Sequence, residues 1–302
     1  MEQHLLLGDS KDVLKTIKDG SIDLLATDPS YGLHFMGKDW DKALPDTEIF
    51  RECYRVLKPG AFIAVMSSPR SDLLYRMIQK LEDAGFDMSF SPILWTYHTG
   101  FPKASDTSKM IDKRAGAERE VVGEKKSGST SRAYQSEEQT TAGIHYETTA
   151  STDLAKKYEG SKLGFQPKPA VEHIIIGMKP HGQKSYIDNV LNFEALPDNI
   201  KMTYPFLQVP KPAKKEKNMG VDKNNHPTTK PVKLMSYIIT LFTREGDWVL
   251  DPFLGSGTTG VASKLINRNF VGIEREQEYM DIVKERCEVD RDELIKFFKE
   301  GK

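Results

Sequence analysis

Residues 249–262 read VLDPFLGSGTTGVA, and how this stretch connects to the rest of the chain decides the fold. Trp248, Val249 and Leu250 form a short apolar run of strand type, and residues 257–267 have the period of a helix. Between them stand Gly255, Gly257 and Gly260, and Glu274 closes the next apolar run, Phe270–Ile273. Glycines at this spacing permit a tight turn and close backbone approach to a ligand, and an acid at the next strand end can take ribose hydroxyls. A dinucleotide fold beginning here would need more strands after Glu274, yet only 28 residues of charged, helical sequence remain. The sheet must borrow strands from the other end of the chain.

That end supplies them. Apolar runs near 4–7, 22–27, 60–67 and 86–95 alternate with amphipathic stretches near 10–17, 46–57 and 70–84, the pattern of a parallel sheet with crossover helices. The pattern resumes at Pro231, which opens a helix to about Arg244, and closes with a helix over 276–289. Between the halves the periodicity breaks. Residues 127–153 are rich in Ser, Thr and Gln with scarcely a core residue, which predicts a mobile or partner-ordered segment. Residues 171–177, VEHIIIG, read as a strand returning to the sheet, and 205–226 as a Pro/Lys/Asn-rich connector.

At 302 residues the chain can bury a large core. No apolar run approaches the roughly 20 residues of a membrane helix, and no basic-then-apolar leader opens the chain, so a cytoplasmic enzyme is expected. Cys53 and Cys287 lie in helix-like contexts, too isolated for a zinc site or a disulfide framework, and are expected to be buried thiols. The net charge of −1 conceals a gradient: residues 96–233 carry 22 Lys and Arg against 16 Asp and Glu, the remainder 21 against 28. The middle is basic and the flanks acidic, which suits either a nucleic-acid partner or an ordinary solvated surface.

A sheet with Asp251 at one strand tip and Glu274 at the next fits a nucleoside ligand without a long phosphate tail, of which S-adenosylmethionine is the leading candidate. Glu274 would take both ribose hydroxyls. Asp251, with the backbone N–H groups of Gly255, Ser256 and Gly257, would hold the amino-acid end, and Phe253 would cover the ligand. The second informative stretch is TDPSYGLHFMGKDWD, residues 27–41, directly after the apolar run Leu24-Leu25-Ala26. Here a strand ends in a carboxylate and a proline.

Together Asp28-Pro29-Ser30-Tyr31, the basic middle, His226-Pro227-Thr228-Thr229-Lys230-Pro231 and Asp251-Pro252-Phe253-Leu254-Gly255-Ser256-Gly257 resemble the amino-directed DNA methyltransferases in their permuted, beta-class order: catalytic motif first, DNA-reading insertion second, cofactor motif last. Gly100-Phe101-Pro102-Lys103 and Lys168-Pro169-Ala170-Val171-Glu172 also resemble phage and bacterial members. The resemblance implies a Rossmann-like S-adenosylmethionine-dependent methyltransferase fold, α/β, with a permuted, mostly parallel sheet and an irregular target-recognition insertion. It divides the chain into a catalytic half, 1–96, an insertion, 97–205, and a cofactor half, 206–302. One departure stands at Ser30, where the family usually has a second proline.

The chemistry implied is methyl transfer to an exocyclic amine, whose lone pair is delocalised into the ring. The Asp28 carboxylate and Pro29 carbonyl can accept its hydrogens as it turns pyramidal, with Ser30 completing the turn, and Tyr31 offers a face for a flipped base. No metal and no cysteine nucleophile is required. Phe35, Met36 and Trp40 would close over the site on Gly32 and Gly37, although Trp40 suits packing against a neighbouring helix equally well. Asp9 would reach the adenine of the cofactor or cap a helix, and Thr229 and Lys230 open a helix whose N–H groups could meet the cofactor carboxylate.

Lys211, Lys214, Lys215, Lys217 and Lys223 form the densest basic run and suit phosphate. Arg132, Tyr134, Gln135 and His145 can make groove contacts. Double-stranded DNA is the expected partner; a companion restriction endonuclease and a homodimer are further expectations of the family. The resemblance favours adenine over cytosine, since the cytosine enzymes of the family often open the motif with serine where this chain has Asp28. An RNA or protein-amide methyltransferase, and an inactive DNA-binding protein that senses the cofactor, remain as rivals.

Overall fold

The computed structural model describes residues 1–32, 43–97, 105–126, 144–164, 170–193 and 205–300. The lid residues Phe35, Met36, Gly37 and Trp40, the groove candidates Arg132, Tyr134 and Gln135, and the motif residues Gly100–Lys103, Lys168 and Pro169 lie outside them. By internal packing the chain divides into two units, Met1–Thr99 with Ala170–Lys302, and Gly100–Pro169.

In the first unit the strands are β1 (Gln3–Leu7), β2 (Ile22–Thr27), β3 (Leu57–Ser67) and β4 (Ile93–Thr96), and after the second unit's β5 (Val121–Lys126) and β6 (Ile144–Thr148) come β7 (Val171–Met178), β8 (Phe206–Gln208), β9 (Trp248–Asp251) and β10 (Asn269–Glu274). Eight of them form one sheet in the order β1-β10-β9-β2-β3-β7-β4-β8. Neighbours from β1 to β3 are parallel, while β7 runs antiparallel to both β3 and β4. The near-continuous apolar run of β2 follows from helices covering both faces: Leu24 and Ala26 pack into the core beneath the helices Val232–Phe242 and Thr258–Leu265, and Leu25 into the core beneath Thr47–Val56 and Ser71–Asp83. Both leucines are fully buried, and truncation of either would cost about 2–5 kcal/mol.

Local signals set the helix ends. Asp46 caps Thr47–Val56 by accepting from the Glu48 N–H at 3.1 Å, and Ile49, Phe50, Cys53 and Val56 form its buried stripe. The expected strand over 86–95 is shorter: only Ile93–Thr96 pairs continuously, with an isolated bridge at Asp87. Between them residues 88–92 face only 175–177 of β7, so the ladder is broken by a bulge. Residues 171–177 do return to the sheet, with Glu172 opposite Trp95. Within the large sheet, β8 is a strand without a sequence-based expectation. Both cysteines are buried and free.

The second unit falls within the expected insertion 97–205, and residues 171–177, expected to return to the sheet, belong to the first unit as β7. The second unit holds the helix Thr107–Ala115, the β5–β6 hairpin and the short helix Asp153–Lys157. Of the stretch 127–153, expected to be mobile or partner-ordered, residues 144–153 are held by polar contacts within the second unit. Asp112, fully buried, accepts from the N–H groups of Ser151 and Thr152 at 3.0 Å, from the Thr152 hydroxyl at 2.8 Å and from Arg119. Burial raises its carboxyl, but these donors outweigh burial and hold it at about 2. A polar anchor, invisible to a search for apolar periodicity, orders this stretch. Among the described residues no helix is long and apolar enough to cross a membrane.

Candidate active site

Parallel pairing brings the carboxyl ends of β1, β10, β9 and β2 to one edge of the sheet. From β9 the chain continues outward to β10, whereas from β2 it runs the other way to β3, so the order reverses between β9 and β2. Ligands bind at such switch points because the diverging loops leave a crevice there. A cavity of about 330 Å³ opens at this place, and Asp9, Asp28, Asp251, Gly255, Glu274 and His226 are among its lining residues. Pro29, Ser30, Lys230, Phe253 and Ser256 also line it.

Asp251 sits at the centre, 2 % exposed. Its carboxylate accepts from the hydroxyls of Thr27 and Thr259, each at 2.6 Å, and from the Phe253 N–H at 3.1 Å. Burial pushes its carboxyl up to about 6 against the pull of those donors, and the nearby Asp28 adds to the rise. Glu274 accepts from the Gly255 N–H at 2.7 Å and the Glu276 N–H at 2.9 Å, and burial raises it as well. Its carboxylate keeps acceptor capacity for a ligand hydroxyl.

The glycine turn is conformationally required: Gly255 has φ +55° and Gly257 φ +80°. A Cβ at Gly255 would lie 2.9 Å from His226 Nε2. That imidazole packs edge-on against Tyr279, its Nδ1 receives the Thr228 N–H at 3.4 Å, and burial with the charges of Lys230 and Arg286 lowers it to about 3. His226 is therefore neutral. Behind the turn, the buried Arg286 donates to the Ser256 carbonyl.

Asp28 follows β2 and lies in a cluster of charges. Its Oδ1 accepts from the Tyr31 hydroxyl at 2.7 Å, and its Oδ2 pairs with Lys230. Glu172 on β7 joins the cluster: Oε2 accepts from Tyr31 at 3.2 Å and lies 3.5 Å from Lys230 Nζ, while Oε1 accepts from the Tyr97 hydroxyl at 3.1 Å. Burial, with Glu172 nearby, raises Asp28 even though Lys230 opposes the rise. For Lys230 burial is outweighed by its two carboxylates, so its ammonium is held more firmly than usual. Ser30 donates to the Ala43 carbonyl at 2.9 Å, which ties down the turn where the resemblance anticipates proline.

Asp9 takes one of its two anticipated places, capping the helix Ser10–Val13 through the Lys11 N–H at 2.9 Å, and it also lines the cavity. Thr229 is buried beside Asn224, and Thr228 takes the place on the cavity wall. The helix after Pro231 does not offer a free N-terminal donor at Val232, because the Val232 N–H is taken by Glu216 at 2.8 Å. Lys230 meets Asp28 instead. Lys214, Lys215 and Lys217 share the short helix Lys214–Lys217, and Lys211 lies over the Tyr97 ring at 4.3 Å. None of these four lines the cavity. Thr27, Thr259, Tyr97 and Tyr279 carried no readable signal, whereas Glu172 and His226 stood inside recognisable motifs without a role.

The N6_N4_Mtase family, described as DNA methylase, matches residues 22–285. The type II methyltransferase M.HpaI of Haemophilus parainfluenzae is 29 % identical over 300 residues, 95 % of this chain and 75 % of that protein. Among solved structures, M1.HpyAVI in its SAM complex aligns with a TM-score of 0.53 at 20 % identity, over 94 % of this chain and 99 % of that one. The cytosine-N4-specific PvuII DNA methyltransferase aligns at 0.55 and 18 % identity, over 99 % and 92 % respectively.

Proposed function

Because the chain belongs to the N6_N4_Mtase family of DNA methylases, we propose that it transfers a methyl group from S-adenosylmethionine to the exocyclic amine of adenine in a specific duplex sequence, after the base has flipped out. The observation that carries this reading is that Asp28 and the turn residues Gly255 and Ser256, more than 200 residues apart in sequence, line one cavity.

The lining suits the donor. Glu274 is fixed with acceptor capacity for ribose hydroxyls, Asp251 and Asp28 place negative charge where a cationic ligand would sit, and Phe253 supplies an apolar wall beside Phe50. When bound, S-adenosylmethionine supplies an electrophilic methyl on sulfur. Asp28 and the Pro29 carbonyl accept hydrogens from the amine as its nitrogen gains positive charge, preorganised at the strand tip. The aromatic face of Tyr31 meets the extruded base, offsetting a flipping cost of a few kcal/mol. Lys211, Lys214, Lys215 and Lys217 hold phosphate without sequence choice.

The test is to incubate unmethylated duplex DNA with labelled S-adenosylmethionine, digest it and identify the labelled nucleoside. N6-methyladenine is expected, and Asp28→Ala should abolish it while cofactor binding persists. N4-methylcytosine would transfer the same chemistry to the other base. Tight DNA binding without label would leave a cofactor-sensing DNA-binding protein. Mapping the modified sites would give the recognition sequence, and co-purification with a neighbouring nuclease would test a restriction partner.

A further inference from the structure

The Asp28 cluster contains more charge than an amine acceptor needs. Two carboxylates, Asp28 and Glu172, share one ammonium, Lys230, and one phenol, Tyr31, with side-chain exposures of 20 %, 13 % and 11 % for Asp28, Glu172 and Lys230. In water-poor surroundings a lone Asp–Lys pair is a closed unit. Its carboxylate is neutralised and already occupied, and it accepts weakly from a third group. With Tyr31 on Oδ1 and Lys230 on Oδ2, Asp28 alone would be such a unit.

Glu172 changes the balance. It offers competing acceptors to the same two donors, at 3.2 Å from the Tyr31 hydroxyl and 3.5 Å from the Lys230 nitrogen, and it is itself anchored by Tyr97 at 3.1 Å. Its strand position makes this anchoring rigid, because β7 is hydrogen-bonded to β3 on one side and β4 on the other. The cluster then carries a net charge of −1, left over for an incoming group that becomes positive.

We propose that Glu172 is a positioning residue for methyl transfer: by competing with Asp28 for Lys230 and Tyr31 it prevents those two partners from closing off the Asp28 carboxylate, which is left able to accept from the target amine. This rests on the methyl-transfer reading above and deepens it. An amine under methylation gains positive charge on nitrogen, and the uncompensated charge of the cluster is complementary to that developing charge before the reaction starts. The groups facing Asp28 are Tyr31 from its own loop, Lys230 from the turn before the helix Val232–Phe242, Glu172 from β7 and Asp251 from β9.

The discriminating variant is Glu172→Gln, which keeps shape and hydrogen-bond acceptance but removes the charge, with Glu172→Asp as the charge-conserving control. Single-turnover methylation by E172Q is expected to slow by about 10- to 100-fold, below the loss for a directly contacting group. Cofactor affinity should stay within about threefold, and E172D should recover part of the rate. With a like charge gone, Asp28 ionises more readily, so the acid limb of the rate profile should move to lower pH while the plateau falls. A purely structural role would lower the plateau and leave the limb in place, and that result, or a wild-type rate in E172Q, overturns the proposal.

The same linkage is read without DNA by following the Asp28 carboxyl carbon by NMR, assigned through Asp28→Asn. Its titration should move to lower pH in E172Q, and a fixed titration overturns the proposal whatever the activity. If wild type methylates no DNA yet the titration moves, the link between Glu172 and Asp28 is supported and the methyl-transfer reading alone falls.

Discussion

Replacing Asp251 by Asn should make the protein more stable at neutral pH. The carboxylate is 2 % exposed and, despite three donors, burial raises it from 3.8 to about 6. A carboxyl that is weaker in the fold than in the unfolded chain favours the folded state while protonated. That contribution is present below about pH 4 and is lost as pH rises through about 6. Each pH unit between the two values is worth about 1.4 kcal/mol, so ionised Asp251 costs the fold roughly 3 kcal/mol above pH 6. Asn has the same shape and no charge, and the Thr27 and Thr259 hydroxyls can turn from donating to accepting to meet its amide. Urea unfolding of both proteins from pH 4 to 8, followed by tryptophan fluorescence, should give a stability difference that grows by up to about 3 kcal/mol in favour of Asp251→Asn and levels off above pH 7. A difference that is flat with pH, or that grows in favour of wild type, refutes the reasoning. The cost has a purpose only if a ligand recovers it. A cationic ligand group meeting Asp251 favours its ionised form, so S-adenosylmethionine should bind wild type more tightly as pH rises through about 6, and Asp251→Asn should lack that trend.

Gly255→Ala combines a left-handed backbone cost of about 1–2 kcal/mol with a Cβ 2.9 Å from His226 Nε2. Cofactor affinity measured by calorimetry should weaken by roughly 5- to 30-fold, and unchanged affinity would remove the turn from the binding site. Converting Lys214, Lys215 and Lys217 together to Gln should flatten the dependence of DNA affinity on salt, by a slope of about 0.9 for each phosphate no longer neutralised; parallel log–log lines for variant and wild type would exclude these lysines. Cys53 and Cys287 are buried, and burial pushes both thiols up, Cys287 to about 11. A thiol reagent at pH 8 should label them only as fast as the protein unfolds, and rapid labelling of the folded chain would contradict their placement.

The parts of this architecture that were legible in the sequence are those written in a repeating local code. β2 and β10 show as apolar runs because both their faces are covered, and the helix Thr47–Val56 shows in the spacing of Ile49, Phe50, Cys53 and Val56. The glycines of the turn were legible because φ values of +55° and +80° exclude most other residues. What stayed hidden depends on partners distant in sequence. Thr27 and Thr259 look like any strand-end and helix-start threonines, and only the pairing of β2 with β9 brings both onto Asp251. Glu172 stands in the motif Lys168–Glu172, yet by local pattern it reads as one polar residue before an apolar run. Its role requires β7 to turn back antiparallel between β3 and β4, which no local pattern specifies. Lys230 was legible as a helix opener, but its partner Asp28 lies 202 residues away, and Glu216 had already taken the Val232 donor.

The permuted motif order follows from the same geometry. β1 pairs in parallel with β10 along its whole length, Gln3 opposite Phe270 through Leu7 opposite Glu274, although the two strands stand at opposite ends of the chain. The helix Gln277–Glu288 follows β10, so a chain joined end to end would pass from β10 through helix to an adjacent parallel strand, an ordinary crossover unit. The sheet needs the strands to lie side by side, not to be covalently consecutive, and a break in that crossover leaves every hydrogen bond of the β1–β10 ladder available. Asp28, Asp251 and Glu274 all depend on the carboxyl ends of β2, β9 and β10 reaching one edge together. That edge is fixed by strand direction, and the position of the chain ends does not enter it. The stretch that carries Asp28 can therefore precede the one that carries Asp251 by more than 200 residues without moving either side of the cavity.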